Sequence, residues 1–466
     1  MSDFKARDIR GRHGEGWITP DGFERIGRAL GTLARRRGAD GPFVIAGDVR
    51  THTPALREAL GRGLVAAGVQ VLDAGTLPTP AFYFAVRRLR AAGGATVTAS
   101  HNPPAYNGLK YIFGEDPVTP GDLVALERLA EAAPDGVGGG TLEPVDTRDA
   151  YRGHLSDLCP EPLDGLRIAV DPGHGCYAGL AGAFLRDRGA EVQTIFDTPD
   201  GLFPGRHPDS AVPDHLTALA ETVRREGCDL GVAFDGDGDR VSILDETGTF
   251  LPCDALIAVL GRDAVAAAVD GRTGARPAVV YDIKCSRVVA ETVEAAGGQA
   301  LMEKSGHAFI KRRVRQEEAV LGGEVSGHYF YPHLGGGDDG LYTAWRVARL
   351  VRHGARPASA LVAELPRTCL TPDLRLPADE PAEALVDRLA GRLAGRAELC
   401  RLDGLRAAFS DGWALVRPSI TEPAVTFRFE ADHPEGLLRV VDAFLGGEPA
   451  WRDRVRAAIH AWRSAD

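Results

Sequence analysis

Residues 43–75 read FVIAGDVRTHTPALREALGRGLVAAGVQVLDAG, and two later stretches repeat the same design. They are LRIAVDPGHGCYAGLAGAFLRDRGAEVQTIFD at 166–197 and AVVYDIKCSRVVAETVEAAGGQALMEK at 278–304. Each begins with a short apolar run, continues through an Ala/Leu-rich helical segment and a glycine, and closes with a second apolar run. The first run of each stretch ends in an aspartate, namely Asp48, Asp171 and Asp282. This pattern predicts three β-α-β units with buried strands and a covering helix.

A third apolar run follows each unit and leads into a loop rich in glycine or asparagine. These runs are GATVTAS (94–100), DLGVAFD (229–235) and AVLGGE (319–324). In open α/β sheets, ligands bind at the carboxyl ends of the strands. We therefore expect the chemistry of this protein to lie in these three loops.

The repeats predict three related α/β (mixed-sheet) domains plus a smaller C-terminal α+β domain. The predicted boundaries are 1–147, 148–250, 251–365 and 366–466, with a Gly-rich connection around 134–150. In the last domain we predict a strand-like TPDLRLP, a helix at 381–394, strands near 406–416 and 424–430, and helices at 434–444 and 450–463.

Composition and charge exclude several classes of protein. The 466 residues include 54 basic and 65 acidic side chains, a formal charge of −11, which argues against nucleic-acid and anionic-membrane partners. The N-terminus lacks the apolar segment of a signal peptide, and the stretch 255–268 is too short and too charged to span a bilayer. Seven scattered cysteines without a CxxC pair disfavour a disulfide or zinc scaffold. We expect a reduced, cytoplasmic protein.

The first loop reads TASHNPPAYNGLK at 98–110. Ser100 stands at a predicted strand end among turn formers, where its hydroxyl can point away from the backbone. His101 and Lys110 are candidate proton carriers beside it. The alternative for a serine in such a turn is a purely structural role.

The second loop, DGDGDR at 235–240, alternates carboxylates with glycines. Asp235, Asp237 and Asp239 can turn toward one point, which suits a hard divalent cation. An EF-hand is excluded because Arg240 occupies the position that requires glycine and because the flanking segments are strands. The alternative is a solvated acidic turn.

Two further loops supply polar groups of other kinds. GGEVSGH at 322–328 places Glu324 and Ser326 on one side of an extended backbone, where they could bind a polyol. RPSITEP at 417–423 offers a guanidinium, hydroxyls and amides, the components of a phosphate site. Neither is diagnostic alone. No P-loop occurs, and the glycines at 173–179 fit a dinucleotide fingerprint poorly.

Together these strings resemble the α-D-phosphohexomutase family, in particular its bacterial phosphomannomutase/phosphoglucomutase members. The likeness also includes FKARDIRG at 4–11 and EKSGH at 303–307, so it covers the whole chain. It implies four domains around one central cleft. It also implies reversible phosphoryl transfer between O1 and O6 of mannose or glucose phosphates, through a phosphoserine and a hexose 1,6-bisphosphate intermediate.

The resemblance also implies a role for each candidate residue. Ser100 would carry the phosphoryl group, and one Mg²⁺ would bind the phosphoserine and Asp235, Asp237 and Asp239. Arg10 and Arg240 would support the reacting phosphoryl group. Lys110 would act as general acid and base, with His307 as a second candidate and His101 in support. The remaining residues would bind substrate: Glu324, Ser326 and His328 the sugar, and Lys284, Arg417, Ser419 and Thr421 the distant phosphate.

Three positions depart from the common family pattern, and three other functions stay open, with phosphoglucosamine mutase as the runner-up. Arg7 stands where tyrosine is common, Ile420 where asparagine is common, and Ala255 where a basic residue is common. Val325 occupies the position at which phosphoglucosamine mutases usually carry glutamine, which favours the mannose/glucose interpretation. A catalytically silent phosphosugar-binding protein and a simple phosphatase are the alternatives from other classes. The partner expected is a small phosphosugar, and the chain a monomer or homodimer.

Overall fold

The computed structural model describes residues 3–4, 8–38, 41–114, 116–269, 276–378, 380–418 and 424–464. Four β-sheets follow one another along these residues, and the predicted class of three α/β domains and a smaller C-terminal domain is confirmed. We propose the domain boundaries predicted above. Each sheet falls inside one of those ranges except for Leu251, which ends a strand of the second sheet.

Domain I contains a seven-stranded sheet in the order β1-β5-β4-β2-β3-β7, with β6 paired to β5. Its elements are β1 (Ile9–Arg12), α1 (Pro20–Arg36), β2 (Phe43–Gly47), α2 (Thr53–Ala66), β3 (Gln70–Thr76), α3 (Thr79–Arg88), β4 (Gly93–Val97), β5 (Tyr106–Phe113), β6 (Asp116–Pro117), α4 (Pro120–Glu131) and β7 (Thr141–Pro144). The stretch predicted to connect the domains thus contributes β7, an edge strand parallel to β3.

Domain II contains a five-stranded sheet in the order β12-β11-β10-β8-β9. Its elements are α5 (Arg148–Leu158), β8 (Arg167–Asp171), α6 (Ala181–Asp187), β9 (Glu191–Thr194), a 3₁₀ turn (Pro213–Leu216), α7 (Thr217–Glu226), β10 (Leu230–Phe234), β11 (Val241–Leu244) and β12 (Phe250–Leu251).

Domain III contains a five-stranded sheet in the order β14-β13-β15-β16-β17. Its elements are α8 (Cys253–Ala268), β13 (Ala278–Asp282), α9 (Val288–Ala295), β14 (Gln299–Glu303), α10 (His307–Gln316), β15 (Leu321–Gly323), β16 (Tyr329–Tyr331), a 3₁₀ turn (Pro332–Leu334), β17 (Gly337–Asp338), α11 (Gly340–Gly354) and α12 (Ala360–Ala363).

The three α/β sheets share one topology, which positions the predicted loops. The first strand of each repeat (β2, β8 or β13) is parallel to the second and to the third, which flank it. The third strand then pairs antiparallel with a fourth. Each predicted loop joins a third strand to a fourth strand. The repeated loops therefore leave equivalent edges of three related sheets.

Local sequence explains the central strands and the helix starts. Every residue of β2, β10 and β13 is buried, in keeping with continuous apolar runs that are covered on both faces. Thr19 caps α1 through its side chain, and Pro20 stands at the first helical position. Asp339, which follows β17, caps α11 because its side chain accepts from the amides of Leu341 and Tyr342.

Domain IV contains a six-stranded sheet in the order β18-β23-β22-β21-β20, with β19 paired to β23. Its elements are β18 (Cys369–Leu370), β19 (Leu374–Pro377), α13 (Ala382–Leu393), β20 (Glu398–Cys400), β21 (Leu405–Phe409), β22 (Gly412–Pro418), β23 (Ala424–Ala431), α14 (Pro434–Leu445) and α15 (Pro449–Arg463).

One prediction in domain IV needs correction. The stretch predicted near 406–416 forms two antiparallel strands, β21 and β22, joined by a two-residue turn at 410–411. Gly412 starts β22 in a close approach, since a Cβ there would lie 1.9 Å from the carbonyl oxygen of Glu430. The Asp-Gly pair at 411–412 is a hairpin signal that the prediction overlooked.

The hydrophobic core is continuous through the first three domains. One buried cluster includes Val44, Ile168 and Val279 from the central strands of domains I, II and III. Domain IV has a cluster of its own around Phe427 and Val440. Among the described residues, no helix combines the length and the hydropathy that crossing a membrane would require.

Candidate functional site

The first loop joins β4 to β5 and carries Ser100 at its start. Ser100 is buried and has a φ of 48°, a left-handed backbone that is uncommon outside glycine. Its amide donates to Thr98 Oγ1 at 2.8 Å, and its Oγ donates to Asp235 Oδ2 at 2.7 Å. His101 Nδ1 lies 3.2 Å from the same Oγ. The hydroxyl therefore faces the aspartate loop of domain II.

The aspartate loop joins β10 to β11, and hydrogen bonds fix its carboxylates. Asp235 Oδ1 accepts from the amides of Gly238 and Arg240 at 3.0 and 3.2 Å. Asp237 Oδ2 accepts from Thr79 Oγ1 at 2.7 Å and from Thr98 Oγ1 at 3.1 Å. Domain I thus supplies hydroxyl donors to a loop of domain II.

The three carboxylates form a buried acidic cluster that could hold a metal ion. One oxygen from each of Asp235, Asp237 and Asp239 lies within 4.8 Å of the others. Burial, reinforced by the charges of Asp237 and Asp239, raises the pKa of Asp235 well above its usual value. Asp237 Oδ1 is buried and has no hydrogen-bond partner among the described residues. A hard, oxygen-seeking divalent cation would satisfy this oxygen and offset the repulsion.

Lys110 lies in β5, and its ammonium contacts the cluster of three aspartates. Its Nζ donates to Asp237 Oδ2 at 2.8 Å and also to Asp239 Oδ2. Burial alone would lower the pKa of Lys110, but these two carboxylates raise it well above its usual value. The ammonium in turn holds the pKa of Asp239 well below its usual value, against the opposing effect of burial. Lys110 is therefore a buried ammonium that stays protonated at neutral pH.

His307 complements Lys110 because it stays neutral. Both side chains line one small cavity with Tyr83 and Lys311. Burial, followed by the charge of Lys110, lowers the pKa of His307 to about 4. Burial and the guanidinium groups of Arg240 and Arg10 likewise hold the pKa of His101 well below its usual value. At neutral pH both imidazoles are thus able to accept a proton.

Two arginines approach the serine loop from different domains. Arg10 Nη1 donates to the carbonyl of Ala99 at 2.5 Å and to Asn102 Oδ1 at 2.8 Å. Arg240 Nε lies 3.9 Å from Asp235 Oδ2 and has no hydrogen-bond partner among the described residues. Positive charge is therefore available on both sides of Ser100.

The third loop joins β15 to β16 and reaches the aspartate loop through His328. Ser326 Oγ and His328 Nδ1 are 2.8 Å apart, and Glu324 Oε2 lies 3.3 Å from the same nitrogen. The other ring nitrogen, Nε2, lies 3.3 Å from Asp239 Oδ1. Although burial would lower it, Asp239 and Glu324 raise the pKa of His328 to about 10. The amide of Gly306 holds Glu324 through Oε1 at 2.6 Å.

The residues predicted to bind a distant phosphate are only partly described. Lys284 Nζ donates to Asp373 Oδ2 at 3.1 Å, and Arg417 Nη2 lies 3.0 Å from Asp403 Oδ2. Arg428 Nη1 approaches the other oxygen of Asp373 at 3.9 Å. Each predicted cation thus has an acidic neighbour that the sequence did not indicate.

Some positions singled out by sequence lie outside the described residues. They are Arg7, Ser419, Ile420 and Thr421. Ala255 lies in the first turn of α8.

The structure brings most of the predicted residues into one place where three domains meet. Hydrogen bonds or ion pairs link the predicted site residues of the first three loops. Lys284 lies at a neighbouring position, since its charge and that of Glu324 both act on the buried carboxyl of Asp282. Arg417 belongs to domain IV and contacts Asp403.

Sequence reasoning missed several residues that support these loops. Thr79 lies in α3 and holds Asp237, and nothing in its local sequence marks it. The buried pairs Asp48–Arg50 and Asp171–Arg206 lie beneath the serine and aspartate loops. The repeated aspartate at the end of each first strand was the one available signal.

Comparison with known proteins identifies the relationship of the whole chain. Models of phosphoglucomutase/phosphomannomutase domains I, II and III, each described as alpha/beta/alpha, match residues 1–131, 150–248 and 252–369. The model of the C-terminal domain of the same family matches residues 374–446.

Individual relatives agree with these models. The phosphomannomutase/phosphoglucomutase of Pseudomonas aeruginosa is 35% identical over 449 residues, which cover 95% of this chain and 94% of that protein. The phosphoglucomutase of Neisseria gonorrhoeae is 34% identical, with 95% of each chain covered. A crystal structure of a phosphoglucomutase/phosphomannomutase family protein from Burkholderia thailandensis superposes with a TM-score of 0.87 at 34% identity and 98% coverage of both chains. With all four domains and nearly the full length matched, this chain belongs to the phosphoglucomutase/phosphomannomutase family.

Proposed function

We propose that this protein moves a phosphoryl group reversibly between O1 and O6 of hexose phosphates, with mannose and glucose phosphates as substrates. Ser100 would carry the phosphoryl group, and a hexose 1,6-bisphosphate would be the intermediate and the activator. One observation carries this proposal: the Ser100 hydroxyl of domain I donates to Asp235 of domain II at 2.7 Å, inside a cluster of three carboxylates. A nucleophile against an acidic cluster suits metal-assisted phosphoryl transfer.

One Mg²⁺ per chain would be held by Asp235, Asp237 and Asp239 together with the phosphoserine at Ser100. The unpartnered Asp237 Oδ1 supports this assignment. When bound, the ion would neutralise charge on the phosphoryl oxygens. Arg240 and Arg10 would add cationic groups from the protein, and Arg240 Nε is free to donate.

Proton transfer would fall to Lys110, with His307 as the second candidate and His101 in a supporting role. A sugar hydroxyl that attacks the phosphoserine must lose its proton, and the same oxygen must regain one in the reverse direction. The raised pKa of Lys110 and the lowered pKa of His307 supply a protonated and a neutral group in one cavity. This pairing allows catalysis in both directions.

Substrate orientation would depend on the third and fourth loops. Glu324, Ser326 and His328 offer acceptors and donors for sugar hydroxyls. Lys284 and Arg417, with Ser419 and Thr421, would bind the phosphate that does not react. A 1,6-bisphosphate must turn around in such a site so that either phosphate can face Ser100. We further propose a cytoplasmic monomer or homodimer with no nucleic-acid or membrane partner.

The decisive experiment is a coupled assay with mannose 1-phosphate, glucose 1-phosphate and glucosamine 1-phosphate in the presence of catalytic bisphosphate. We expect turnover of the first two, which would separate this function from a phosphoglucosamine mutase. Release of inorganic phosphate without isomer exchange would indicate a phosphatase instead. No turnover of any sugar phosphate would indicate a silent binding protein.

Ser100→Ala provides the test of the covalent mechanism. We expect a loss of activity of at least about 10³-fold, because the variant lacks the nucleophile. Intact-mass analysis should show a phosphate adduct on the wild type that is absent from the variant. Ser242→Ala is the matched control, since the Ser242 hydroxyl is buried and has no hydrogen-bond partner among the described residues. Substantial turnover by Ser100→Ala would exclude a phosphoserine intermediate.

A further inference from the structure

Arg50 is a fully buried arginine directly beneath the serine loop. Its side chain has 0% exposure, and its Nε donates to Asp48 Oδ2 at 3.0 Å. Asp48 also accepts from the Arg50 amide, from Thr53 Oγ1 and from the Ala99 amide. The guanidinium is therefore fixed to the end of β2, the central strand of domain I.

The other guanidinium nitrogens bind the backbone of the serine loop. Four carbonyl oxygens in the seven residues from 100 to 106 accept from Arg50. They belong to Ser100 at 2.9 Å, Asn102 at 2.6 Å, Pro103 at 2.7 Å and Tyr106 at 3.2 Å. One side chain thus binds three carbonyl groups of this loop and the carbonyl group of the first residue of β5. Only the planar, five-donor guanidinium can serve so many acceptors.

The loop needs such support because its backbone is strained at the nucleophile. Ser100 has a φ of 48°. A left-handed conformation of this kind is unfavourable for a non-glycine residue and persists only where the surroundings impose it. The hydrogen bonds from Arg50 flank this residue on its C-terminal side and supply that constraint.

A side chain of domain II packs against the same guanidinium. The ring of Phe203 lies 5.0 Å from the Arg50 guanidinium carbon, which is cation–π distance. The aspartate loop packs against two neighbours of this guanidinium, because a Cβ on Gly236 would stand 2.6 Å from the Ser100 carbonyl oxygen and 3.4 Å from the Phe203 ring. Arg50 therefore lies where the serine loop, Phe203 and the aspartate loop converge.

Domain II contains an equivalent pair of a buried aspartate and an arginine. Arg206 Nε donates at 2.6 Å to Asp171, the aspartate that ends the first strand of that domain. Its Nη2 donates at 2.6 Å to the carbonyl of Phe234, the residue before Asp235. An aspartate-anchored arginine thus holds the backbone of each of the two loops that meet at Ser100.

We propose that Arg50 is a positioning residue that keeps Ser100 at a fixed place against the aspartate loop through both states of the catalytic cycle. This inference rests on the proposed function, in which Ser100 alternates between a free hydroxyl and a phosphate ester. The bond from Ser100 Oγ to Asp235 needs the hydroxyl proton, which a phosphoserine lacks. The four bonds from Arg50 go to carbonyl groups and need no change on phosphorylation.

Arg50→Lys keeps the positive charge and removes the guanidinium nitrogens that donate to the four carbonyl oxygens. We expect kcat to fall about 10–100-fold, since a displacement near 1 Å at a reacting atom has effects of this size. KM should change less than about threefold, because Arg50 contacts no predicted sugar or phosphate ligand. Amide hydrogen exchange in residues 98–106 should accelerate at least about tenfold, while the central strands of domains II and III keep their protection.

Arg25→Lys is the matched control for this variant. Arg25 lies in the same domain, stacks on Trp17 at 4.6 Å and donates to the carbonyls of Ala130 and Glu131, away from Ser100. We expect it to leave kcat and the exchange of residues 98–106 unchanged. A second test variant, Phe203→Leu, leaves every donor of Arg50 in place and should lower kcat by a smaller factor.

Chemical rescue separates positioning from general stability. Added guanidinium at low millimolar concentration should recover part of the kcat of Arg50→Ala, whereas methylammonium should not. Unchanged kcat in folded Arg50→Lys would overturn the proposal, as would a loss of protection spread evenly over all domains. The exchange measurement is independent of which reaction the protein catalyses. If Ser100→Ala proved active, the proposed function would fail while the support of the loop by Arg50 could still be measured.

Discussion

Lys110 is one of only five lysines among the 54 basic residues of the chain. Arginine would be the expected choice wherever positive charge alone is needed, so the lysine indicates a need that guanidinium cannot meet. That need is proton exchange, because a guanidinium stays protonated at every accessible pH. In the structure, Asp237 and Asp239 keep the Lys110 proton firmly bound. A cation that binds the same carboxylates would weaken their attraction for the Lys110 ammonium and so lower the pKa of Lys110.

We expect Lys110→Arg to lower kcat by about 10²–10⁴-fold with a much smaller change in KM, the usual contribution of general acid–base catalysis. Steady-state kinetics with mannose 1-phosphate measure both parameters. Lys304→Arg is the control, since the ammonium of Lys304 stacks on Phe309 at 3.9 Å and an arginine can keep that contact. Near-normal kcat in Lys110→Arg, with Lys110→Ala impaired, would assign the proton transfer to His307.

At the scale of a single element, the aspartate loop concentrates three carboxylates in one buried turn. Burial, reinforced by the charges of Asp237 and Asp239, raises the pKa of Asp235 well above its usual value. Sites built for ligand binding commonly trade stability for function in this way.

Asp235→Asn should therefore stabilise the metal-free protein while it removes metal binding. We expect the midpoint of thermal unfolding without metal to rise by about 4 °C, which corresponds to ~1 kcal/mol for a domain of roughly 100 residues. Mg²⁺ should raise the midpoint of the wild type and leave that of the variant unchanged. A chelator should abolish wild-type activity, and Mg²⁺ should restore it.

The control for this variant is Asp187→Asn, which alters an exposed ion pair with Arg152. Such pairs contribute little to stability, so both midpoints should match the wild type. A lower metal-free midpoint for Asp235→Asn, or an undiminished response to Mg²⁺, would contradict the assignment.

The strand–loop–strand elements were predictable because their signals are local. The apolar runs that end at Ser100, Asp235 and Glu324 indicated both the strands and the loops that follow them. Contacts across the fold carry no such signal. Arg50 and the Ser100 carbonyl are 50 residues apart, and Lys284 and Asp373 are 89 apart. Such partners are set by the packing of domains, which the periodicity of a single chain does not encode.

At the scale of the whole molecule, the buried apolar side chains form separate clusters of different sizes. One buried cluster contains side chains of domains I to III, domain I has a second cluster of its own, and domain IV packs around a separate one. A small cluster of Ile283, Trp413 and Leu415 joins the two parts. Domain IV is thus attached to domain III through few apolar side chains.

Polar contacts complete this junction around the loop after β13. Arg406 Nη1 donates to the carbonyl of Ile283 at 2.6 Å, and its guanidinium lies 3.8 Å from the ring of Trp413. Glu430 accepts from Ser286 Oγ, from the Arg287 amide and from the Trp413 indole. Lys284 belongs to this same loop, so the junction fixes one predicted phosphate ligand relative to domain IV.

Trp413→Ala should therefore weaken substrate binding more than chemistry. Lys284 lies in domain III and Arg417 in domain IV, and both are proposed to bind one phosphate. Loosening the junction would misplace one relative to the other. We expect KM for mannose 1-phosphate to rise about tenfold, equivalent to ~1.4 kcal/mol, with kcat changed less than about threefold. Trp462→Ala is the control, because Trp462 packs on the domain IV core away from the junction. Equal KM values for the two variants would show that the Trp413 contact does not align the phosphate ligands.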